Sequence, residues 1–151
     1  MPKEYLTDEE MYTDVAELYH RYRPRYPEHL IDLGIKSCTL LTEKSPNEWR
    51  ILEIGCGPGT LALALAKRGY QIVAIEPGTG MIEKARQVCN DYSDNVHFHQ
   101  KTFNDFSPTI SEDGTWLPSV VIVVSSSLQW SLREIRTRKI LSRSFILTPQ
   151  P

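Results

Sequence analysis

The sequence predicts an α/β fold with a parallel, doubly wound sheet. Three observations lead there. Short apolar runs alternate with helix-patterned stretches from residue 50 onward. A glycine-rich turn joins the first of these strands to the helix after it. The segment 120–124 is five consecutive β-branched residues, as suits a strand covered on both faces.

Taken in order, residues 9–20 read as a helix, with Met11, Val15, Leu18 and Tyr19 on one side. The stretch Tyr22-Arg-Pro-Arg-Tyr-Pro27 stops it, because Pro24 and Pro27 cannot continue a helix. Pro27 suits the first turn of the next helix. That helix is expected to run to about Thr42, with Leu30, Ile31, Leu33, Ile35 and Leu41 as its apolar set. A polar loop, 43–48, precedes a strand at 50–54. Residues 60–68 are apolar nearly all round and read as a buried helix stopped by Gly69. A second strand spans 70–76, a helix 79–90, a third strand 96–101, and a fourth 119–124 after a long polar loop. The order strand, helix, strand, helix, strand, then strand implies right-handed crossovers and a ligand site at the carboxyl ends of the strands.

Composition narrows the function classes. The chain has 151 residues, 40% hydrophobic and 24% charged, enough for one domain with a core. Its net charge is -2, which gives no bulk attraction to a polyanion, so no nucleic-acid partner is expected. The longest apolar runs, 61–66 and 120–124, fall far short of the ~18 residues that a membrane span needs. With an acidic, polar start at 1–10, a cytoplasmic protein is expected. Cys38, Cys56 and Cys89 are scattered and form no metal or CxxC spacing, so three free thiols are expected. His97 and His99 share a strand face but lack a third ligand, so no metal site is expected.

The chemistry concentrates in Ile51-Leu-Glu-Ile-Gly-Cys-Gly-Pro-Gly-Thr60. Glycines here allow a sharp strand-to-helix turn and a close approach of backbone to ligand. The same turn is compatible with simple packing and no ligand. Two features sharpen it. Thr60 stands where a dinucleotide fingerprint wants glycine or alanine. Glu53 stands inside an apolar strand, where an acid is costly unless paired with the turn's N–H groups or with a ligand ammonium. Glu76 ends the second strand, where a carboxylate can accept from both hydroxyls of a ribose; it can also be an ordinary strand-end acid.

ILEIGCGPGT followed by VAIEPGTGMIEKAR resembles the class I S-adenosylmethionine-dependent methyltransferases, over residues 19–130. YRPRYP is similar to a subgroup related to the trans-aconitate-like enzymes that methylate small molecules. The resemblance implies S-adenosylmethionine as cofactor, with Glu53, Gly55, Cys56, Gly57 and Gly59 around its methionine end. Glu76 and Pro77 would lie at the ribose, Met81, Thr102 and Phe103 at the adenine, and Ser125 after the fourth strand. Tyr19, Tyr22, Arg23 and Trp130 would cover the pocket or meet the acceptor, a small molecule such as a carboxylic acid. Met81, Tyr22, Tyr26 and Phe103 are also readable as packing residues alone.

The chain departs from the family's pattern in places. Val120 replaces a common aspartate and Gln129 a common histidine, and an amide cannot serve as a general base. Of the later strands only 144–147 has a pattern, so the sheet is expected to lack strands six and seven. Three segments are expected: 1–48 as helices over the pocket, 49–130 as the cofactor-binding core, and 131–151 as a degenerate or truncated end. Arg133, Arg136, Arg138, Lys139 and Arg143 in that end read as a solvated helix face. Two further readings stand beside the enzyme: a shortened, inactive cofactor-binding or interaction protein, and an NAD-binding oxidoreductase domain. An uncovered sheet edge at 120–124 would suit a homodimer.

Overall fold

The computed structural model describes residues 15–23, 25–40, 45–106 and 120–123. Expectations for Met11, Leu41, Ser125, Gln129, Trp130, the loop 107–118 and the segment 131–151 lie outside these residues.

The central element is β1 (Arg50–Ile54), whose last four residues are all buried. It pairs in parallel with β2 (Gln71–Ile75) on one side and with β4 (Val120–Val123) on the other. β2 pairs in parallel with β3 (Val96–His99), giving the order β3-β2-β1-β4. This is the doubly wound start that the sequence predicts. Burial of both faces of β1 and β2 explains why they read as continuous apolar runs rather than alternating ones.

Helix α3 (Thr60–Ala66) buries Leu61, Ala62, Leu65 and Ala66. It ends two residues before the predicted limit, in a turn closed by Gly69 at φ 83°. Helix α4 (Thr79–Val88) buries Met81, Ile82 and Ala85, the expected set at spacings of three and four. At the end of the sheet away from the glycine turn, the buried Trp49 stacks on Tyr70 with ring centroids 5.8 Å apart.

The two N-terminal helices differ from expectation in which face they bury. Helix α1 (Ala16–Tyr22) turns Ala16, Tyr19, His20 and then Arg23 inward, while Val15 and Leu18 are exposed. The spacing i, i+3, i+4, i+7 starts from Ala16, not from Met11. Helix α2 (Glu28–Thr39) carries two apolar stripes. Ile31, Gly34 and Cys38, with the half-buried Ile35, face the core; Leu30 and Leu33 face outward. Ile31 and Cys38 join the core cluster with Trp49 and Ile51. Pro27 sits one position outside the helix, which ends at Thr39 rather than Thr42.

Ion pairs fasten these helices to the core. Arg68, after α3, pairs with Asp32 at 3.0 Å and with Glu28, both on α2. Lys84 on α4 pairs with Glu17 on α1 at 2.6 Å. All three pairs have an exposed acid, so they position more than they stabilise.

Candidate functional site

The site is built where β1 and β2 end. The N–H groups of Gly55 and Cys56 both donate to the Ile75 carbonyl, at 2.9 and 3.1 Å, which carries the chain from β1 across the end of β2. Gly57 and Gly59 then have φ of 54° and 81°, a region that favours glycine. Gly59 is needed for space as well. A Cβ there would lie 3.0 Å from Cα of Ala85, so the turn lets α4 pack directly on it.

Glu76, 8% exposed, anchors this turn. Its Oε2 accepts from the Gly57 N–H and its Oε1 from the Gly78 N–H, each at 3.0 Å. The carboxylate therefore joins the turn after β1 to the loop after β2. No pairing between Glu76 and the turn was expected from the sequence; the available signal was a strand-end acid beside a parallel strand's glycine turn.

Glu53 behaves oppositely. It is 0% exposed, and neither of its oxygens has a hydrogen-bond partner among the described residues. Of the two partners offered by the sequence, the turn's N–H groups are engaged elsewhere: Gly57 donates to Glu76, and Gly55 and Cys56 to Ile75. Burial, and then the nearby Glu76, pushes the Glu53 carboxyl up to about 8. Burial likewise raises the Cys56 thiol well above its ordinary range and Cys89 to about 12. All three cysteines are free and buried, as expected, so they pack rather than react.

The N-terminal segment covers the turn. A Cβ on Gly57 would sit 4.0 Å from Cε1 of Tyr19, so the Tyr19 ring lies over that glycine. The Arg23 guanidinium lies over the Tyr19 ring, 4.8 Å from its centroid. Tyr26 joins them: its hydroxyl is buried without a hydrogen bond of good geometry, and burial raises its pKa. Tyr22 is 73% exposed and stands apart from the cover. Helical geometry gives the reason, since Tyr19 and Arg23 are one turn apart and Tyr22 falls beside them. The sequence offered Tyr26 only as a packing residue, and it does pack against the core.

The remaining residues are more dispersed. Met81 is 1% exposed, close to Gly78 and Glu76, and packs as core. Pro77 is half-buried, and its carbonyl accepts from Gln100. Thr102 is exposed and bonds Asp105 at 2.6 Å. Phe103 is half-buried. His97 and His99 are exposed, and among the described residues no three acidic, histidine or cysteine side chains could hold a metal ion. Among those residues no helix is long and apolar enough to cross a membrane.

Comparison with known proteins fits this geometry. A methyltransferase domain family matches residues 51–143, more than half of the chain. The chain is 33% identical over 105 residues to the 23S rRNA (uracil(1939)-C(5))-methyltransferase RlmD of Shewanella sediminis, covering 64% of this chain and 22% of that protein. It is 28% identical to the tRNA 5-carboxymethoxyuridine methyltransferase of Escherichia coli (60% and 34%). To a ubiquinone biosynthesis O-methyltransferase of Rickettsia akari it is 27% identical (58% and 34%). The chain thus spans about a fifth to a third of the length of these relatives. Two of the three carry the names of RNA-modifying enzymes, so bulk charge does not settle the acceptor class.

Among solved structures, a putative S-adenosyl-L-methionine-dependent methyltransferase from Methanococcus maripaludis superposes with a TM-score of 0.64 at 19% identity. That likeness covers 98% of this chain and 67% of the other. An RNA methyltransferase from Salinibacter ruber, in complex with S-adenosyl-L-homocysteine, gives 0.52 at 18% identity (68% and 61%). At these identities the superpositions establish the fold. With the family match lying over β1, the glycine turn, Glu76 and β4, the chain belongs to the methyltransferase domain family and has its class I fold.

Proposed function

We propose that this chain binds S-adenosylmethionine at the glycine turn and transfers its methyl group to a carboxylate-bearing small molecule. The observation that supports the reading best is Glu53, fully buried with two unsatisfied oxygens at the end of the central strand. A buried acid without a donor is costly, and a ligand ammonium would satisfy it. In this reading Gly55, Cys56, Gly57 and Gly59 let the ligand lie against backbone. Glu76, already fixed by two N–H groups, accepts from the ribose hydroxyls with its remaining lone pairs. Pro77, Met81, Thr102 and Phe103 border the adenine, and Ser125 lies past the fourth strand. Residues 1–48 serve as the cover and 49–130 as the cofactor-binding core.

The cofactor supplies an activated methyl: its bond to the acceptor forms as its bond to sulfur breaks, and sulfur keeps the electron pair. What the protein must do is align donor and acceptor and exclude water. Tyr19 and Tyr26 shield the turn from above. Arg23, half-buried and held on the Tyr19 ring, offers a cation to a carboxylate at the mouth. A carboxylate acceptor needs no general base. A second reading is favoured by the relatives' names, in which the carboxylate belongs to a modified RNA base. A methyl-transfer assay with a panel of small carboxylic acids, run beside transfer RNA and ribosomal RNA, tests the two. Transfer to a small acid supports the first reading; transfer only to RNA replaces it with the second.

A further inference from the structure

Glu53 lies on β1, which is flanked on both sides, and is paired in register with Ala74 of β2 and Ile122 of β4. Every titratable group that faces it leaves its charge uncompensated. Glu76, after β2, is a like charge with both oxygens already bonded to N–H groups. Cys56 in the turn and Cys89 after α4 are kept as thiols by burial. Tyr26, from the cover, is kept as a phenol by burial. Arg23, beside Tyr26, is stacked on Tyr19.

Resting on the cofactor reading above, we propose that Glu53 is a neutral carboxylic acid in the free chain and gives up its proton when a ligand's primary ammonium docks against it. Binding then releases one proton and selects for ligands that carry that ammonium. The O–H bond of the carboxyl breaks, the electron pair stays on the Glu53 oxygen, and the proton leaves to the buffer. No covalent bond to the ligand forms. A carboxyl pushed up to about 8 is neutral in the free chain at neutral pH. A docked ammonium is the opposite charge that brings it back down.

The consequence is measurable. Below pH 8, the dissociation constant should rise about tenfold for each unit of falling pH, because each unit costs one decade of ionised Glu53. The test is calorimetric titration of the whole chain with S-adenosylhomocysteine from pH 6 to pH 8, in phosphate and in Tris. The two buffers differ in ionisation enthalpy, so the heats count protons. A parallel series uses 5′-methylthioadenosine, which keeps the nucleoside and thioether but lacks the amino-acid end. Expected are close to one proton released per S-adenosylhomocysteine at pH 6.5, and none for methylthioadenosine. Glu53→Gln should bind the first ligand with a flat pH profile. A flat profile with no proton release in the parent chain overturns the proposal, as does an unchanged slope in Glu53→Gln. If that variant does not fold, the two-ligand, two-buffer comparison on the parent decides. Failure of both nucleosides to bind at any of these pH values overturns the cofactor reading itself, and the proposal with it.

Discussion

The end of the sheet and the helix lying over it hold their acids in opposite ways. At the sheet's end, Glu76 is fixed by backbone N–H groups and Glu53 is sealed without a donor. On α1, Glu17 is exposed and pairs with side chains, Lys84 at 2.6 Å and Arg21 at 3.5 Å. The hydrogen bond and charge of Lys84 lower the Glu17 carboxyl, whereas burial raises that of Glu53. One region is fixed by backbone hydrogen bonds and holds an unsatisfied carboxyl. The other is docked by exposed pairs that solvent screens. A site made this way has a fixed floor and a lightly held cover.

The largest effect should come from breaking the floor. Gly59→Ala would force a side chain into φ 81° and into contact at 3.0 Å with the α4 backbone. Left-handed strain and overpacking together should cost roughly 2–5 kcal/mol, read as a lowered midpoint in urea. A midpoint equal to the parent's would mean that the turn can relax without the close packing seen here.

Glu76→Ala comes next. It removes a charged acceptor from Gly57 and Gly78 and, in the proposed site, from two ribose hydroxyls. Bonds to charged groups contribute about 1.5–3 kcal/mol, so affinity for S-adenosylhomocysteine should fall roughly 10- to 150-fold. Undiminished affinity would remove Glu76 from the site and leave it as a clamp on the turn.

The pH dependence of the free chain separates the two regions by sign. Glu53 has a folded-state pKa above its unfolded value, so the folded form holds the extra proton between 4.5 and about 8. Its contribution is therefore fully present below pH 4.5 and is lost as pH rises through 8. His20 and His99, held below their ordinary range by burial, add stability as pH rises toward 6.5, so the Glu53 contribution is read as the difference between the parent and Glu53→Gln: the parent's Tm should decline more steeply from pH 6.5 to pH 8. Glu17 has the reverse sign, its contribution fading as pH falls below 4.5. Identical Tm profiles for the parent and Glu53→Gln between pH 6.5 and pH 8 would contradict a sealed, unpaired Glu53. The smallest effect belongs to Lys84→Ala. Because Glu17 is exposed, thermal unfolding at physiological salt should change little. A large loss would show that α1 is fastened more firmly than its ion pairs indicate.

Much of this was legible in the sequence for physical reasons. β1, β2 and α3 announce themselves because burial leaves few polar residues to blur the pattern, and Glu53 stands out against that background; α4 shows itself by buried residues at spacings of three and four. The glycine spacing marks the turn because only glycine tolerates its backbone at Gly57 and Gly59. What the sequence hid were choices made by tertiary packing. The buried stripe of α2 runs through Gly34 and Cys38, residues that a search for large apolar side chains overlooks. Tyr19 rather than Tyr22 reaches the turn, because position along α1 decides which ring points inward. The partners of Glu76 were hidden because they are backbone N–H groups from two separate loops.

The most direct test of the site is a calorimetric titration of the purified chain at pH 8 with S-adenosylmethionine, S-adenosylhomocysteine and NAD in turn. Saturable one-to-one binding of the first two, with no heat from NAD, is the predicted result. Binding of NAD, with neither sulfur nucleoside taken up, would contradict the assignment of Glu53, the glycine turn and Glu76 to an S-adenosylmethionine site.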